Sequence, residues 1–474
     1  MKAVTTLDYF IICVYLGIML FIGAFFSKKI KDSKTFYTAG NSLGTLVVLA
    51  TACATMVGGS SMMGRAGRGF TNGIECLVTV AAYMLGMFVF SAFAGKIYDV
   101  GIKHKVYSIP ALFEYRFGLN TKLIVSIMII FAMVGSIAAQ ISATATVIKL
   151  LGNDIGISYE LGAIISTLIF ILYTGASGLL GVVYTDVIQF IVLLFFVYLL
   201  IPIFGVTQVG GFNNFLMNVD PQSLIPKIDG RVLGDIFSFF IFTMAGADMW
   251  QRAFAAKTRK VAKNGMFLGT LAYGFCMIMV FFMALVAKQR IPNVIEVYGT
   301  EDAVIPALAL NVLPVGCVGL ALAGILSVMM STADSSLLVA VQASADDLGK
   351  SIIPNLSEKN SLLLSRIMTV VLAGGALIIA LFIKSAYGIV TTIFSFYSTS
   401  VGACAFASLF WDKLTKQGAI ASMLGGFLTC TIWRILDSPF GVGSTLPGIA
   451  VSIICMFVVS FATYKKSPSK VLEL

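Results

Sequence analysis

The chain has 474 residues, of which 58% are hydrophobic and only 11% are charged, with a net charge of +10. This composition is typical of helical membrane proteins with many spans and excludes a soluble globular domain. The apolar runs are long and do not alternate with a period of two, which argues against a transmembrane β-barrel. The positive charge lies in short loops between these runs, so it does not indicate a nucleic-acid-binding protein.

Cysteine and histidine usage argues against several kinds of site. The eight cysteines are scattered through apolar stretches without any CxxC spacing, and the single histidine, His104, lies in a basic loop. This pattern predicts neither a zinc site nor a disulfide framework. The sequence also lacks a nucleophile–base pair and any metal-ligand spacing, so we expect that the protein is not an enzyme.

The apolar segments are long enough to be membrane spans, because a helix of ~20 apolar residues crosses a bilayer. We therefore predict an all-α polytopic membrane protein with thirteen transmembrane helices. In chain order the predicted spans are Tyr9–Phe26, Leu43–Phe70, Ile74–Val100, Leu123–Leu151, Ile157–Tyr173, Leu179–Phe204, Val232–Trp250, Met266–Ala287, Val315–Ala345, Leu362–Ile383, Ile389–Phe410, Ala419–Leu436 and Ile449–Tyr464.

The basic residues indicate how these spans are oriented. If the N-terminus is outside, most of the 32 Lys and Arg residues fall in inner loops, the first of which contains Lys28, Lys29, Lys31 and Lys34. Inner loops of membrane proteins carry such an excess of positive charge. We therefore predict a multi-pass protein of the plasma (inner) membrane with an outer N-terminus and a cytoplasmic C-terminus.

The second span contains small residues at mid-membrane depth. Gly58 and Gly59 are followed by Ser60 and Ser61, a poor sequence for a continuous helix. A break would free backbone carbonyls that can coordinate a cation, and the second half-helix would direct its N-terminus at an anionic group. The alternative is that the small residues let neighbouring helices pack closely.

Two arginines follow this stretch. Arg65 and Arg68 lie at positions i and i+3 near the predicted outer end of the second span. We expect them to extend to the membrane surface or to form ion pairs. The alternative is that they line an access vestibule that attracts anions.

Further polar residues lie within the sixth and seventh spans. Asp186 lies about two helical turns from the inner end of the sixth span, and an intramembrane carboxylate suggests a functional site. The seventh span contains Thr-Met-Ala-Gly-Ala-Asp at 243–248, a second candidate break. Breaks in spans two and seven, five spans apart, indicate an inverted repeat with a central binding site.

The ninth span carries the densest polar cluster. Ser331, Thr332, Ser335 and Ser336 share one helix face, with Asp334 between them. Hard cations such as sodium prefer oxygen ligands, so hydroxyls with a carboxylate or carbonyls would form a sodium site. The alternative is that these hydroxyls only support close helix packing.

Three stretches together resemble the sodium:solute symporter family, which includes sodium–proline, sodium–sugar and sodium–sialic acid symporters. They are Tyr173-Thr174…Gly178-Leu179…Val182-Val183-Tyr184-Thr185-Asp186…Gln189, Gln251-Arg252…Ala255-Ala256-Lys257, and Met330-Ser331-Thr332-Ala333-Asp334-Ser335…Leu337-Leu338. The resemblance covers nearly the whole chain in order and spacing. It implies a LeuT-type fold, in which ten core helices form two inverted repeats.

For this chain the resemblance implies four segments. Residues 1–42 hold an extra first helix and an inner loop, and 43–206 hold the first repeat of five helices. The second repeat covers 207–410, and 411–474 hold two C-terminal helices with a short inner tail.

The family's shared sodium site carries over by resemblance. Its backbone carbonyls fall on Ala54 and Val57 of the broken span and on Val328 of the ninth span. Its two hydroxyls fall on Ser331 and Thr332. Sodium is therefore the expected coupling ion.

Some family members bind a second sodium ion. The matching residues here are Asp186 and Ser335, while Asp334 stands where the resemblance leads us to expect a hydroxyl. Asp334 would either contribute to this second site or balance charge and hydrogen-bond a neighbouring helix.

The resemblance does not identify the solute. The broken span lacks the amide or acidic groups that sugar transporters present, and Met133 lies near the position of the arginine expected for sialic acid binding. A small amino acid or carboxylate-bearing solute therefore fits better. The candidate residues lining its site are Gly58, Ser60, Ser61, Gln140, Phe242, Thr243 and Tyr397.

Together these features predict a sodium-coupled symporter that imports a small polar organic solute by alternating access. The expected partners are the solute, sodium and the lipid bilayer, without nucleic acid or an obligate protein partner. The alternatives are proton coupling through Asp186 and Asp334, or sodium-coupled sugar or sialic acid uptake. A sodium channel would need a continuous polar pore with rings of charge, and the sequence offers only isolated carboxylates.

Overall fold

The regular secondary structure of the computed structural model is helical. The structure describes residues 4–27, 37–152, 156–353, 357–466 and 468–472. Within these ranges, β-type backbone pairing is limited to one bridge between Leu43 and Ala256. The predicted all-α class is therefore confirmed. The predicted inner loop with lysines at 28, 29, 31 and 34 lies outside the described residues.

The α-helices follow the apolar segments of the sequence. They are α1 Thr6–Ser27, α2 Thr45–Met56, α3 Arg65–Asn72, α4 Glu75–His104, α5 Ile109–Phe117, α6 Leu119–Leu151, α7 Tyr159–Leu193, α8 Leu200–Gln208, α9 Phe212–Met217, α10 Gly230–Met244, α11 Ala247–Ala255, α12 Arg259–Arg290, α13 Val294–Tyr298, α14 Val304–Val312, α15 Cys317–Val341, α16 Lys350–Ile352, α17 Glu358–Phe382, α18 Ala386–Tyr397, α19 Ala403–Phe410, α20 Lys416–Ile435 and α21 Thr445–Thr463. Many begin where a Ser, Thr or Asp side chain accepts a backbone N–H of the first turn, which satisfies a donor that the helix itself leaves unpaired. These capping residues are Ser108, Ser158, Asp229, Thr258, Ser357, Ser385 and Thr415.

Eleven helices within the described ranges are long and apolar enough to cross a membrane. They are Thr6–Gly23, Glu75–His104, Leu119–Leu151, Gly178–Gln208, Gly230–Ala255, Arg259–Arg290, Cys317–Ile352, Lys359–Phe382, Ala386–Phe410, Lys416–Ile435 and Thr445–Thr463. The pair α2 and Ser60–Asn72 would form one further, bent span, and Tyr159–Thr174 is a shorter apolar helix. Gly178, at a φ of +54°, kinks α7 between this short helix and the span that follows.

One helix lies at the centre of the bundle. The apolar stretch of Cys317–Ile352 is 89% buried, whereas those of Thr6–Gly23 and Lys359–Phe382 are each 28% buried. A transmembrane helix at the periphery faces lipid, so only an interior helix buries polar side chains on all faces. The polar cluster of the predicted ninth span therefore lies in the middle of the protein.

The predicted interruption of the second span is confirmed. Helix α2 ends at Met56, and the chain resumes as a helical turn at Ser60–Gly64 that leads into α3. The two halves are bent by 59°. Gly58 and Gly59 lie at the bend, where their low helix propensity favours a break.

The predicted interruption of the seventh span is also confirmed. Helix α10 ends at Met244 and α11 begins at Ala247, with Ala245 and Gly246 between them. A short backbone link joins the end of α11 to the start of α2: the Leu43 N–H donates to the Ala255 carbonyl at 3.2 Å, and the Lys257 N–H donates to the Leu43 carbonyl at 2.9 Å.

Candidate ion and solute site

The central helix α15 contacts the first break directly. Thr332 Oγ1 donates to the backbone carbonyl of Thr55 at 3.1 Å. A Cβ atom added at Gly58 would lie 2.7 Å from the same Thr332 oxygen, so glycine is what permits this approach. The predicted cation-binding face of α15 therefore lies against the break.

The other predicted sodium ligands lie around this contact. Ala54 and Val57 flank it on the broken helix, Val328 lies one helical turn before it on α15, and all three are buried. Ser331 donates its hydroxyl proton to Asp186 Oδ1. A hydroxyl that donates its proton keeps two lone pairs, so its oxygen is still able to face a cation.

The carboxylate of Asp186 is paired inside the protein. Arg252 Nη2 lies 3.3 Å from Asp186 Oδ2, and both side chains are fully buried. The same nitrogen donates to Ser335 Oγ at 2.6 Å, and Arg252 Nε donates to Thr51 Oγ1 at 3.0 Å. These hydrogen bonds offset part of the cost of removing the two charges from water. They connect α11 to α2, α7 and α15.

Asp334 is bonded elsewhere. It accepts a hydrogen bond from Thr174 at Oδ1, and its carboxylate is fully buried. Within the described part of the chain, Asp334 Oδ2 has no hydrogen-bond partner. Of the three residues expected at a second sodium site, the structure brings Asp186 and Ser335 to Arg252 and leaves Asp334 with Thr174.

Gln140 lies at the first break, as expected for a residue of the solute site. The backbone N–H of Gly59 donates to Gln140 Oε1 at 2.6 Å. The amide nitrogen of Gln140 lies 3.1 Å from the position that a Cβ atom of Gly58 would take. A side chain of α6 thus satisfies a backbone donor that the interruption frees.

Arg65 lies inside the bundle, so the expectation that it reaches the membrane surface is wrong. It is 2% exposed. Its Nη1 donates to the Tyr273 hydroxyl and, at 3.4 Å, to Ser61 Oγ, and its guanidinium lies 4.9 Å from the centre of the Phe239 ring. Tyr273 and Phe239, which lie on other helices, hold the charge in the interior. Ser60, beside Ser61, is 6% exposed.

Arg68 fits the vestibule interpretation. It is half-buried and lines two cavities of ≈ 570 Å³ and ≈ 420 Å³, together with Asp235, at the end of the bundle predicted to face outward. Its guanidinium lies 5.2 Å from the centre of the Tyr387 ring. Tyr387 in turn packs against the broken helix, because a Cβ atom at Gly64 would lie 2.7 Å from the Tyr387 Cβ.

Two of the remaining predicted solute residues meet at the second break, and one does not. Phe242 stacks on Phe394 with ring centres 3.6 Å apart, and Tyr397 lies 5.6 Å from Phe242. The Tyr397 hydroxyl donates to the Ala245 carbonyl at 2.7 Å. Thr243 instead donates to the Phe240 carbonyl and faces α4, where it leaves no room for a side chain at position 86.

Sequence reasoning missed the roles of Arg252 and Trp250. Arg252 was visible only as part of a family-like stretch, and its distance of 66 residues from Asp186 gave no sign of the ion pair. Trp250 Nε1 donates to the Met244 carbonyl at 3.0 Å and so gives a hydrogen-bond partner to a carbonyl at the second break. An indole and a guanidinium within two turns after a candidate break were the available signal.

Comparison with known proteins places the whole chain among transporters. The model of the sodium:solute symporter family matches residues 36–426. The osmoregulated proline transporter OpuE of Bacillus subtilis is 26% identical, over 96% of this chain and 94% of the relative. The sodium/proline symporter of Escherichia coli is 26% identical, over 97% and 94%. The sodium/pantothenate symporter of Haemophilus influenzae is 27% identical, over 92% of each.

Solved structures show the same fold. A Na⁺-coupled sialic acid symporter in a substrate-bound, outward-open state matches with a TM-score of 0.82 at 17% identity, over 99% of this chain and 100% of that chain. Mhp1, a nucleobase-cation-symport-1 family transporter, matches with a TM-score of 0.62 at 10% identity, over 91% and 95%.

Proposed function

The chain belongs to the sodium:solute symporter family, and from that premise we propose that it imports a small amino acid or carboxylate-bearing solute together with sodium. Membership makes it a multi-pass membrane protein that couples solute transport to sodium. Relatives named for proline and pantothenate support the proposed solute class. The observation that carries the site assignment is the hydrogen bond from Thr332 to the Thr55 carbonyl at the first break.

The proposed architecture has thirteen spans. Ten of them form two inverted repeats, 43–206 and 207–410, with one helix before and two after. The two interrupted helices, each broken near its middle, support this division because breaks at corresponding positions of two halves mark a central site. The excess of basic residues in alternate loops supports an outer N-terminus and a cytoplasmic C-terminus.

The proposed sodium site combines the carbonyls of Ala54, Val57 and Val328 with the hydroxyls of Ser331 and Thr332. Burial of these residues and the contact of α15 with the break support it. A neutral set of oxygens suits a monovalent cation, which needs little compensating charge.

The solute is proposed to bind beside this site. Gly58, Ser60, Ser61 and Gln140 would contribute from the first break, while Phe242 and Tyr397 would contribute from the second. Backbone N–H groups at the start of the second half-helix favour a carboxylate there. Arg65, held nearby by Tyr273, adds positive potential.

Coupling follows from the position of the break. Sodium bound between α2 and α15 orders the broken helix and thereby the solute residues that follow it. The solute then meets a smaller ordering cost, a coupling of typically ~1–3 kcal/mol. Rocking of the helices around the site would open it to the cytoplasm, where a low sodium concentration favours release.

The substitution Thr332→Ala tests this assignment, with Thr332→Ser as the matched control. We expect Thr332→Ala to raise the sodium concentration needed for half-maximal thermal stabilisation of the purified protein by ~10-fold, because a cation ligand is lost. Thr332→Ser, which keeps the hydroxyl, should stay within ~3-fold of the wild type. The same measurement with L-proline, pantothenate and sugars, in sodium and in potassium, identifies the solute class. An unaltered sodium response of Thr332→Ala would refute the site, and stabilisation by sugars alone would refute the solute class.

One observation favours a second candidate, proton coupling. Asp334 is a fully buried carboxylate whose Oδ2 has no partner among the described residues. Buried carboxyl groups inside membrane proteins form the proton relays of pumps and transporters. Uptake into proteoliposomes decides between the two: accumulation driven by a sodium gradient at equal pH on both sides supports sodium coupling, and accumulation driven by a pH gradient without a sodium gradient supports the alternative.

A further inference from the structure

The guanidinium of Arg252 occupies the place that the resemblance gives to a second sodium ion. Its Nη2 donates to Ser335 Oγ at 2.6 Å and to Thr55 Oγ1, and it lies 3.3 Å from Asp186 Oδ2. Thr55 and Ser335 are themselves 3.0 Å apart through their hydroxyl oxygens. Three oxygens from three helices thus converge on one nitrogen that carries positive charge.

The rest of the guanidinium is also fixed. Arg252 Nε donates to Thr51 Oγ1 at 3.0 Å, and Nη1 donates to the Asp248 carbonyl at 3.1 Å. The planar fork of an arginine makes several directed hydrogen bonds at once, so its position is set by all of them together. The side chain is fully buried.

We propose that Arg252 is the resident cation of the second site, and that the protein therefore binds one sodium ion, at Ala54, Val57, Val328, Ser331 and Thr332. This inference rests on the proposed function. The negative charge of Asp186 is already matched by the guanidinium. A sodium ion at the same oxygens would meet a like charge within a few ångströms in a buried place, where such repulsion is strong.

The position of Asp334 is consistent with this assignment. A second sodium site would need the residue at 334 to face Asp186 and Ser335, but Asp334 is bonded to Thr174. The one carboxylate that remains at the site is Asp186, and Ser331 and Thr51 hold both of its oxygens. The resident cation also belongs to α11, so it moves with the second broken helix, whereas a bound ion would diffuse away.

Equilibrium binding of radioactive sodium to the purified full-length protein in lipid nanodiscs tests the proposal without any solute. The wild type should bind one sodium ion per chain with a Hill coefficient of about 1. Arg252→Gln removes the charge but keeps a hydrogen-bond donor, and should bind two ions, with a Hill coefficient that rises towards 2. Arg252→Lys keeps the charge and should bind one. Arg252→Gln combined with Asp186→Asn should return to one, because the carboxylate of the second site is gone.

A separate variant keeps the test decisive if Arg252→Gln does not fold. Asp334→Ser installs the hydroxyl that the resemblance leads us to expect and leaves Arg252 in place, so it should still bind one sodium ion. A second ion in Asp334→Ser would show that Asp334 and not Arg252 excludes it, which overturns the proposal. Two ions in the wild type, or one ion in folded Arg252→Gln, overturn it as well. No sodium binding by the wild type refutes the proposed function itself, a result distinct from all of these.

Discussion

Small residues form both helix breaks in the bundle, but the backbone groups at the two breaks hydrogen-bond to different side chains. At the first break, the Thr55 carbonyl accepts from Thr332 and the Gly59 N–H donates to Gln140. At the second break, the Met244 carbonyl accepts from the indole of Trp250, and the Ala245 carbonyl accepts from the hydroxyl of Tyr397.

The difference lies in what each partner can still do. A threonine hydroxyl that donates its proton retains lone pairs, so Thr332 can face a cation while it holds the first break. An indole N–H is a donor only, so Trp250 adds no lone pair for an ion beside the Met244 carbonyl. Small residues interrupt a helix in either place, but at the first break the hydroxyl-bearing face of α15 lies against the freed carbonyls.

The largest expected effect is on stability and concerns helix α18, which contacts both breaks. Helix α18 contacts the first break through Tyr387 and the second through Tyr397, and Asp302 caps it by accepting the Ala386 N–H at 3.0 Å. Burial raises the pKa of Asp302 to about 6, against an ordinary value near 3.8, and Glu301 adds to the rise.

The pKa of Asp302 is higher in the folded than in the unfolded protein. Its contribution to the free energy of unfolding is therefore complete at low pH and is lost as pH rises through about 6. At ~1.4 kcal/mol per pKa unit, the wild type should lose up to ~3 kcal/mol between pH 4 and pH 7 relative to Asp302→Asn, which keeps the acceptor without the charge. Thermal unfolding of both proteins across this pH range measures the difference. Parallel curves would contradict a buried, shifted carboxyl at position 302.

The next effect separates the two breaks directly. In Gly58→Ala the new Cβ meets Thr332 Oγ1 at 2.7 Å, so α15 must shift from the break. Overpacking of this kind costs ~1–3 kcal/mol, and we expect sodium affinity to fall by ~10-fold or more. Gly246→Ala is the matched control, because its nearest neighbour is Asp248 Oδ1 at 3.3 Å and its φ is −56°. Its sodium affinity should change by less than ~3-fold. Equal losses in the two variants would remove the distinction between the breaks.

The smallest effect tests the second break alone. Tyr397→Phe leaves the Ala245 carbonyl without its donor, which should lower stability by ~1–2 kcal/mol. The sodium concentration for half-maximal stabilisation should stay within ~3-fold of the wild type, since no predicted sodium ligand is touched. Tyr464→Phe, at an exposed position, serves as the control for loss of a hydroxyl. A large change in sodium affinity in Tyr397→Phe would mean that the second break also takes part in cation binding.

Local features of the chain could be predicted from the sequence, and long-range ones could not. The breaks followed from glycines at 58, 59 and 246, because helix propensity is a property of a few neighbouring residues. The polar face of α15 followed from spacing on one helix. The contact of that face with the first break rested on the family resemblance.

The directions of single side chains were beyond the sequence. Arg65 was expected to reach the membrane surface or to form an ion pair, yet the hydroxyl of Tyr273, 208 residues away, holds it inside. Arg252 follows a break whose angle determines where its guanidinium points, and no local pattern sets that angle. Thr243 has a regular position in α10, but which helix its face meets is set by tertiary packing that the local sequence does not encode.

The backbone link at Leu43 gives the two broken helices a common mechanical element. Its hydrogen bonds join main-chain atoms, so they do not depend on which side chains occupy positions 43, 255 and 257. We therefore expect α2 and α11 to tilt together when either of them moves. Among single substitutions, a proline at 43 or at 257 would break the link, because each of these positions supplies one of its two backbone N–H donors.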